Sequence, residues 1–166
     1  MKKVLYVLLF LNYTTFGHGN DLTRSFFASV EAGGHGGYGS AGLTYLPKGI
    51  GWIKPTIRVG LSSYSLRDYE YKMNPSVILP IDLNFDLGDR HIFQIGASNT
   101  YVFTVNYERG IKKRTVSESL GFKVGYKLYN QSYERYWALG FSPIYQNNDF
   151  LRSWYYVGLG FKIAQL

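Results

Sequence analysis

The sequence of 166 residues has no cysteine, only 5 prolines and no apolar run long enough to cross a membrane as a helix. Without cysteine the chain forms neither a disulfide framework nor a thiolate metal site. A membrane-spanning helix needs about 18 or more consecutive apolar residues, a length that no stretch approaches. The chain is rich instead in tyrosine (16) and glycine (19), which favours strands and turns because aromatic residues suit pleated surfaces.

The N-terminus has the layout of a secretory signal peptide. A short basic region at residues 1–3 precedes the apolar run 4–11, and small residues such as Gly17 follow. We therefore predict a leader over residues 1–19 and a single mature domain over residues 20–166. A buried N-terminal strand is the alternative interpretation of the apolar run.

The charge of the chain is modestly basic. The net charge is +7, and it would fall to +5 without Lys2 and Lys3 of the predicted leader. A basic excess can indicate nucleic-acid binding, but a secreted chain rarely meets nucleic acid. We therefore expect no nucleic-acid partner and regard anionic lipid headgroups as the more natural one.

The stretch 77–104 predicts a β-hairpin with two long arms. Side chains alternate between the faces of a strand, and apolar residues occupy alternate positions on both sides of the turn Gly88-Asp89-Arg90. Each arm exceeds the ~5–6 residues of an ordinary strand and suits the ~9–11 residues with which a tilted strand crosses a bilayer. The apolar positions are Val77, Leu79, Ile81, Leu83, Phe85 and Leu87 in the first arm and Phe93, Ile95, Ala97, Tyr101 and Phe103 in the second.

The same alternation recurs along the mature chain and predicts an all-β, eight-stranded, antiparallel, up-and-down transmembrane barrel. Longer polar connections are expected after strands 3, 5 and 7, over residues 65–75, 106–116 and 146–149, and tight turns after strands 2, 4 and 6. This asymmetry is typical of outer-membrane barrels and places both termini on the periplasmic side. The predicted strands cover residues 24–33, 38–46, 51–64, 77–87, 91–104, 117–129, 134–145 and 153–163.

The less apolar face of these strands suits the interior of a narrow barrel. It is rich in small residues, which fit a crowded lumen, while the opposite face carries large apolar side chains and almost no charge. A secreted soluble lipid-binding barrel, apolar inside and polar outside, is the alternative, but it would need charge on its outer face. In strands 6 to 8 the small inner residues are Ser119, Gly121, Gly125, Gly140, Ser142, Ser153, Gly158 and Gly160.

Charged residues also fall on the inner face. Buried charges persist when they are paired, and an eight-stranded barrel is just wide enough for side chains to fill. We therefore predict an interior charge cluster that fills and closes the lumen, with an ion path as the alternative. Its members are Arg58, Asp82 and Lys123 near mid-barrel and Lys54, Asp86, Lys127 and Lys162 near the periplasmic end, with Glu31 on the same face.

Two stretches resemble those of known outer-membrane barrels. Residues 80–97, Pro-Ile-Asp-Leu-Asn-Phe-Asp-Leu-Gly-Asp-Arg-His-Ile-Phe-Gln-Ile-Gly-Ala, are similar to the P-x-x-L-N-x-x-x-G-x-x-H-x-x-x-x-G-x run of small uncharacterised barrels of Bacteroidetes. Residues 157–161 resemble the glycine-aromatic final strand that barrel-insertion machinery recognises. The chain resembles the small eight-stranded outer-membrane barrels, of the size class of the OmpA transmembrane domain and OmpX, over most of residues 24–163.

This resemblance implies a location and a set of partners, although it carries no assigned activity. It implies a Gram-negative outer-membrane protein of structural or adhesive type with a closed interior. The implied partners are outer-membrane lipid, lipopolysaccharide and the barrel-insertion machinery. We expect the barrel to be a monomer.

A lipid A-modifying enzyme is the second hypothesis. A deacylase of this kind needs a serine two residues after its histidine, but Phe93 holds that position after His91. A palmitoyltransferase uses His, Asp and Ser near the outer rim, for which His35, Asp68 and Ser65 are weak candidates. We expect His35 in a flexible outer loop, no catalysis, no cofactor and no metal site, because His35 and His91 lie at opposite ends of the barrel.

Basic residues cluster in the predicted loop 106–116, beside the predicted outer rim. A basic segment gains about 1 kcal/mol per residue near an anionic membrane surface. We therefore predict that this loop binds lipopolysaccharide headgroups, and a loop kept polar for solubility is the alternative. The residues are Arg109, Lys112, Lys113 and Arg114.

Overall fold

The computed structural model describes residues 24–36, 39–67, 73–108, 111–146 and 149–166. The predicted signal peptide lies outside these residues. Within them, no helix is long and apolar enough to cross a membrane. The described elements are strands, apart from a short 3-10 turn that follows the first strand.

The strands form one closed antiparallel barrel in which each strand pairs with its neighbours in sequence, which confirms the predicted fold. The barrel closes between the first and last strands, where Ser25 pairs with Gln165 and Gly33 pairs with Tyr156. We call the end that holds Ser25 and Gln165 the terminal end, and the opposite end the rim. The strands are β1 Ser25–Gly33, β2 Ser40–Leu46, β3 Ile53–Arg67, β4 Met73–Leu87, β5 His91–Glu108, β6 Ile111–Tyr129, β7 Arg135–Gln146 and β8 Asp149–Gln165.

Most strands extend further toward the rim than the alternation predicted, so the predicted long polar loops are wrong. β5 continues to Glu108 and β6 begins at Ile111, which makes most of 106–116 paired strand. β3 likewise continues to Arg67 and β4 begins at Met73. Strand pairing uses the backbone, whatever the polarity of the side chains, so a polar strand extension resembles a loop in a hydropathy pattern. The expected contrast between short turns and long loops is not found in these strand bounds.

The side chains alternate as predicted, with the apolar face outward and the polar face in the lumen. On β4, Leu83 is 40% exposed whereas the neighbouring Asp82 is 1% exposed. This is the reverse of the apolar cavity that a soluble lipid-binding barrel requires. Exposed apolar residues of the outer face include Val59, Leu61, Val77, Ile81, Phe85, Phe93, Ile95, Leu120, Phe122, Val124, Leu139, Val157 and Phe161.

An aromatic layer, which the sequence analysis did not predict, lies inside the barrel at the terminal end. Phe27 packs against Tyr129 and Tyr136, and the ring centroids of the three lie 5.4 to 5.8 Å apart. Leu46 and Ile92 complete the layer, and all of these side chains are buried. The layer therefore gives the barrel a small apolar core beneath its polar interior.

Candidate functional site inside the barrel

Four buried charged side chains form the upper cluster of the lumen: Glu31, Arg58, Asp82 and Lys123. β3 and β4 place Arg58 directly opposite Asp82, and Arg58 Nη1 lies 3.3 Å from Asp82 Oδ2. Lys123 Nζ lies 2.5 Å from Glu31 Oε2 and 3.9 Å from Asp82 Oδ2. The two cations and two carboxylates offset one another, which reduces the cost of removing each charge from water.

The upper cluster also binds neutral groups on other strands. Arg58 Nε donates to Ser29 Oγ at 3.2 Å, and Arg58 Nη2 donates to Ser40 Oγ at 2.6 Å. Lys123 Nζ lies 4.1 Å from the ring centroid of Tyr156. The cluster therefore connects β1, β2, β3, β4, β6 and β8 across the lumen.

A lower cluster of Asp86, Gln94 and Lys127 lies nearer the terminal end. Lys127 Nζ contacts Asp86 Oδ2, and Gln94 Nε2 donates to Asp86 Oδ1 at 2.7 Å. Tyr156 OH donates to Gln94 Oε1 at 3.1 Å while the Tyr156 ring faces Lys123, so this tyrosine joins the two clusters. The sequence analysis did not single out Gln94 or Tyr156, although their parity within β5 and β8 places both on the inner face.

Two lysines from the predicted charge cluster lie apart from these clusters. Lys54 stands opposite Asp86 in the register, but its Nζ bonds Asp89 Oδ1 at 2.8 Å. Lys162 Nζ bonds Gln165 Oε1 at 3.4 Å near the end of β8. The described contacts thus bring Arg58, Asp82 and Lys123 together and pair Asp86 with Lys127, but they do not bring Lys162 into the interior network.

His35 lies inside the lumen, and its predicted position in a flexible outer loop is wrong. It belongs to the buried 3-10 turn Gly34–Gly36, and its Nδ1 lies 3.2 Å from Asp82 Oδ1. Gly33 and Gly34 have φ angles of +76° and +71°, a conformation that favours glycine and turns the chain inward here. The turn contacts β1, β3, β4, β5, β7 and β8, so it plugs the lumen.

Glycines on the inner face make room for these large interior side chains. A Cβ atom at Gly121 would overlap the imidazole ring of His35, and a Cβ atom at Gly125 would overlap the hydroxyl end of Tyr156. Small residues were predicted to fit a crowded lumen, and at these two positions the structure shows which side chain needs the space. Each of these glycines lies directly against one large polar side chain.

A cavity of about 20 Å³ lies between the two clusters and is lined by residues from both. Glu31 Oε1, Thr56 Oγ1 and Asn84 Oδ1 are buried, have no hydrogen-bond partner among the described residues, and belong to the lining. The volume suits about one water molecule, which needs two to four polar partners.

The described residues do not assemble the candidate catalytic trio. His35 bonds Asp82 of β4, whereas Asp68 and the side chain of Ser65 lie outside the described residues. His35 Nε2 faces Gly121 and has no described polar partner. A histidine base acts on a nucleophile within hydrogen-bond reach, and the described lumen offers none to Nε2. No group of three or more His, Cys, Asp or Glu residues in the described ranges could hold a metal ion.

Two members of the predicted headgroup site, Lys113 and Arg114, lie near the start of β6 at the rim. Both are exposed. Consecutive strand residues point to opposite faces, so one side chain projects on the outer side and the other on the lumen side. Arg109 and the side chain of Lys112 lie outside the description, so half of this set is located.

Exposed tryptophans lie toward the terminal end of the outer wall. Trp52 and Trp137 are 63% and 61% exposed there, and Tyr155, near the middle of β8, is 80% exposed. Aromatic residues at a boundary of an apolar band are typical of outer-membrane barrels.

The barrel is similar in fold to the N-terminal β-barrel domain of Pseudomonas aeruginosa OprF. That crystal structure superposes with a TM-score of 0.55 at 12% sequence identity, covering 85% of this chain and 98% of that chain. No family model matches the sequence, and no curated protein matches it. The class that the fold defines is the closed eight-stranded barrel of the outer-membrane type, with an apolar wall and a polar lumen.

Proposed function

We propose that the protein is an outer-membrane barrel of structural or adhesive type whose lumen is filled and closed. The observation that carries this proposal is that four groups of side chains fill the lumen one after another along the barrel axis. They are the turn that holds His35, the upper cluster, the lower cluster and the aromatic layer. Removing a charged member of such a network is costly, so the contents of the lumen favour a permanent seal over a channel.

Conductance measurements test the closed lumen directly. The purified barrel in a planar lipid bilayer should give no stepwise current, because the cavity between the clusters holds about one water. A variant with both Asp82→Ala and Lys123→Ala is a useful comparison, since it opens space in the upper cluster. Regular current steps from the unaltered protein would contradict the closed lumen.

The proposal places the protein in the outer membrane of a Gram-negative cell, after removal of the leader over residues 1–19. The apolar outer wall and the exposed tryptophans toward the terminal end support it. Residues 157–161 lie in β8, the strand that closes the barrel on β1, which supports recognition by insertion machinery. The relationship to Bacteroidetes barrels rests on residues 80–97, which form the β4–β5 hairpin.

Membrane fractionation tests this location. The protein should enter the outer-membrane fraction and migrate faster on a gel before boiling than after it, because a folded barrel is more compact than the unfolded chain. The same fractions should contain a monomer, since pairing of β1 with β8 leaves no open strand edge along the length of β1, and open edges promote association. Recovery in the soluble fraction would contradict the location.

The second part of the proposal is that the basic segment at the β5–β6 end grips lipopolysaccharide. Lys113 and Arg114 support it because both are exposed at the rim. Basic residues gain about 1 kcal/mol each near an anionic surface, and this gain fades within a Debye length.

Changing the set of four, Arg109, Lys112, Lys113 and Arg114, to Gln should lower thermal stability in bilayers that contain lipopolysaccharide. The same variant should behave like the unaltered protein in zwitterionic lipid. Lys48→Gln is the matched control, because Lys48 is exposed at the terminal end. If the change lowers thermal stability equally in both lipids, or in neither, the segment is a solvated polar hairpin and does not bind lipopolysaccharide.

A further inference from the structure

β1 and β2 are shorter than their neighbours, which leaves a notch in the barrel wall at the rim. β1 pairs with β8 no further than Gly33 opposite Tyr156, and β2 pairs with β3 no further than Ala41 opposite Leu61. Beyond these points, β3 continues to Arg67 and is paired only with β4 in the described region, and β8 is paired only with β7. We call this gap between the upper parts of β3 and β8 the wall notch.

Residues 34–36, which follow β1, lie in the lumen instead of extending the wall toward the rim. After Gly33 the backbone turns inward, and Gly34, His35 and Gly36 are all buried. Ser62 of β3, just beyond the last β2–β3 pair, donates a hydrogen bond from Oγ to Gly39 O. A side-chain bond thus replaces the backbone ladder at the lower edge of the notch.

A groove of about 500 Å³ lies below the wall notch on the outer surface. Small residues are frequent in its lining, which also includes Leu61 and Trp137. At its inner end it reaches Glu31 and Ser62, which face the lumen. Its lining consists of Val30, Glu31, Ala32, Gly39, Ser40, Ala41, Leu61, Ser62, Ser63, Trp137, Val157 and Leu159.

We propose that this groove binds one acyl chain of a phospholipid. The groove is continuous with the apolar outer wall, so hydrocarbon is the medium that it meets in a bilayer. Its volume falls within the ~300–1,000 Å³ range of small-molecule sites. Its lining contains no lysine or arginine, and its one charged residue is Glu31, so it offers apolar surface to a hydrocarbon chain and no cation to the phosphates of lipid A.

A groove-filling substitution with a matched control tests the proposal. Ala41→Phe places a large ring on a lining residue of the groove, whereas Ala28→Phe lies on the same outer face of the adjacent strand β1 but outside the lining. Native mass spectrometry of the full barrel released from phospholipid-loaded micelles should show one retained phospholipid in the unaltered protein and in Ala28→Phe. In Ala41→Phe the fraction of barrel that retains a phospholipid should fall at least tenfold. Gel migration before and after boiling serves as the control that both variants are folded.

The two exposed tryptophans provide a second measurement. They are matched in exposure, at 61% for Trp137 in the groove and 63% for Trp52 outside it. Single-tryptophan proteins, made by changing the other tryptophans including Trp154 to Phe, are titrated in detergent with a phospholipid whose chains are brominated. Quenching of Trp137 should saturate near one lipid per barrel and vanish with Ala41→Phe, while quenching of Trp52 should rise in proportion to the lipid added.

Four results on lipid binding, and one on the oligomeric state, would overturn the proposal. The first four are retention of the phospholipid by Ala41→Phe, equal loss from Ala28→Phe, superimposable quenching of Trp137 and Trp52, and displacement of the phospholipid by an equal amount of lipid A. A dimer of barrels that Ala41→Phe abolishes would assign the groove to a second copy of the chain and would equally overturn it.

Discussion

Neutralising Asp82 should be among the most damaging single changes in this barrel. Its Oδ2 lies 3.3 Å from Arg58 Nη1 and 3.9 Å from Lys123 Nζ. At an effective dielectric constant of about 20, charges at these separations attract by about 4 to 5 kcal/mol each. Relaxation and water entry recover part of that loss. Asp82→Asn should therefore lower the free energy of unfolding by about 3 to 5 kcal/mol, the usual cost of breaking a buried pair.

The measurement is urea unfolding of the full barrel in lipid vesicles, followed by tryptophan fluorescence. Asp89→Asn is the matched control, because Asp89 pairs with Lys54 through a carboxylate whose side chain is 78% exposed. An exposed pair contributes about 0 to 1 kcal/mol, so this change should be nearly silent. The assay therefore compares the same Asp→Asn change at a buried position in the lumen and at a solvent-exposed position of the protein.

Double-mutant cycles assign the loss to particular partners. Asp82→Asn combined with Arg58→Gln should show stronger coupling than Asp82→Asn combined with Lys123→Gln, because Lys123 retains Glu31 at 2.5 Å. A loss below about 1 kcal/mol for Asp82→Asn, or additive losses in both cycles, would refute the description of the upper cluster as a coupled network.

Two further predictions concern the two faces of the wall. Leu83→Arg on the outer face should lower the free energy of unfolding in vesicles by about 2 to 4 kcal/mol, which is the midplane cost of arginine on a barrel's lipid face. Ser98→Arg should instead destabilise the barrel by crowding the lumen. If urea unfolding does not respond to Leu83→Arg, the assignment of the two faces is reversed. Gly121→Ala should cost about 1 to 3 kcal/mol because its Cβ would overlap the His35 ring. Most of that loss should disappear in a His35→Ala background, and an equal loss in both backgrounds would show that His35 does not occupy this space.

Local alternation determined the architecture from the sequence alone. Because side chains of a strand alternate faces, residues such as Leu83 and Asp82 are assigned to opposite sides without knowledge of any partner strand, and the structure agrees. The same parity placed Arg58 and Lys123 in the lumen. This alternation is a property of each strand by itself, so it can be predicted from the amino-acid sequence.

The ends of the strands could not be predicted in the same way. The polar residues of 106–116 continue the β5–β6 ladder to Glu108 opposite Ile111. Backbone hydrogen bonds do not depend on side-chain polarity, so hydropathy marks where the apolar band stops rather than where the strand stops. The predicted loops were wrong for this reason.

The choice of partners inside the lumen required the tertiary structure. The sequence placed eight charges on the inner face, but the structure directs Lys123 to Glu31, Lys127 to Asp86 and Lys54 to the exposed Asp89. Those choices depend on the reach of each side chain across the closed barrel. A register between two strands does not contain that information.

The position of His35 shows the same division most clearly. Its surroundings, Gly33-Gly34-His35-Gly36-Gly37, predict a tight connection, and a connection is present. Its inward direction depends on positive φ angles at Gly33 and Gly34, on the carboxylate of Asp82 and on the space above Gly121. Three separate parts of the chain meet there only after the barrel has closed, so the local sequence predicts the turn, whereas tertiary packing places it inside the lumen.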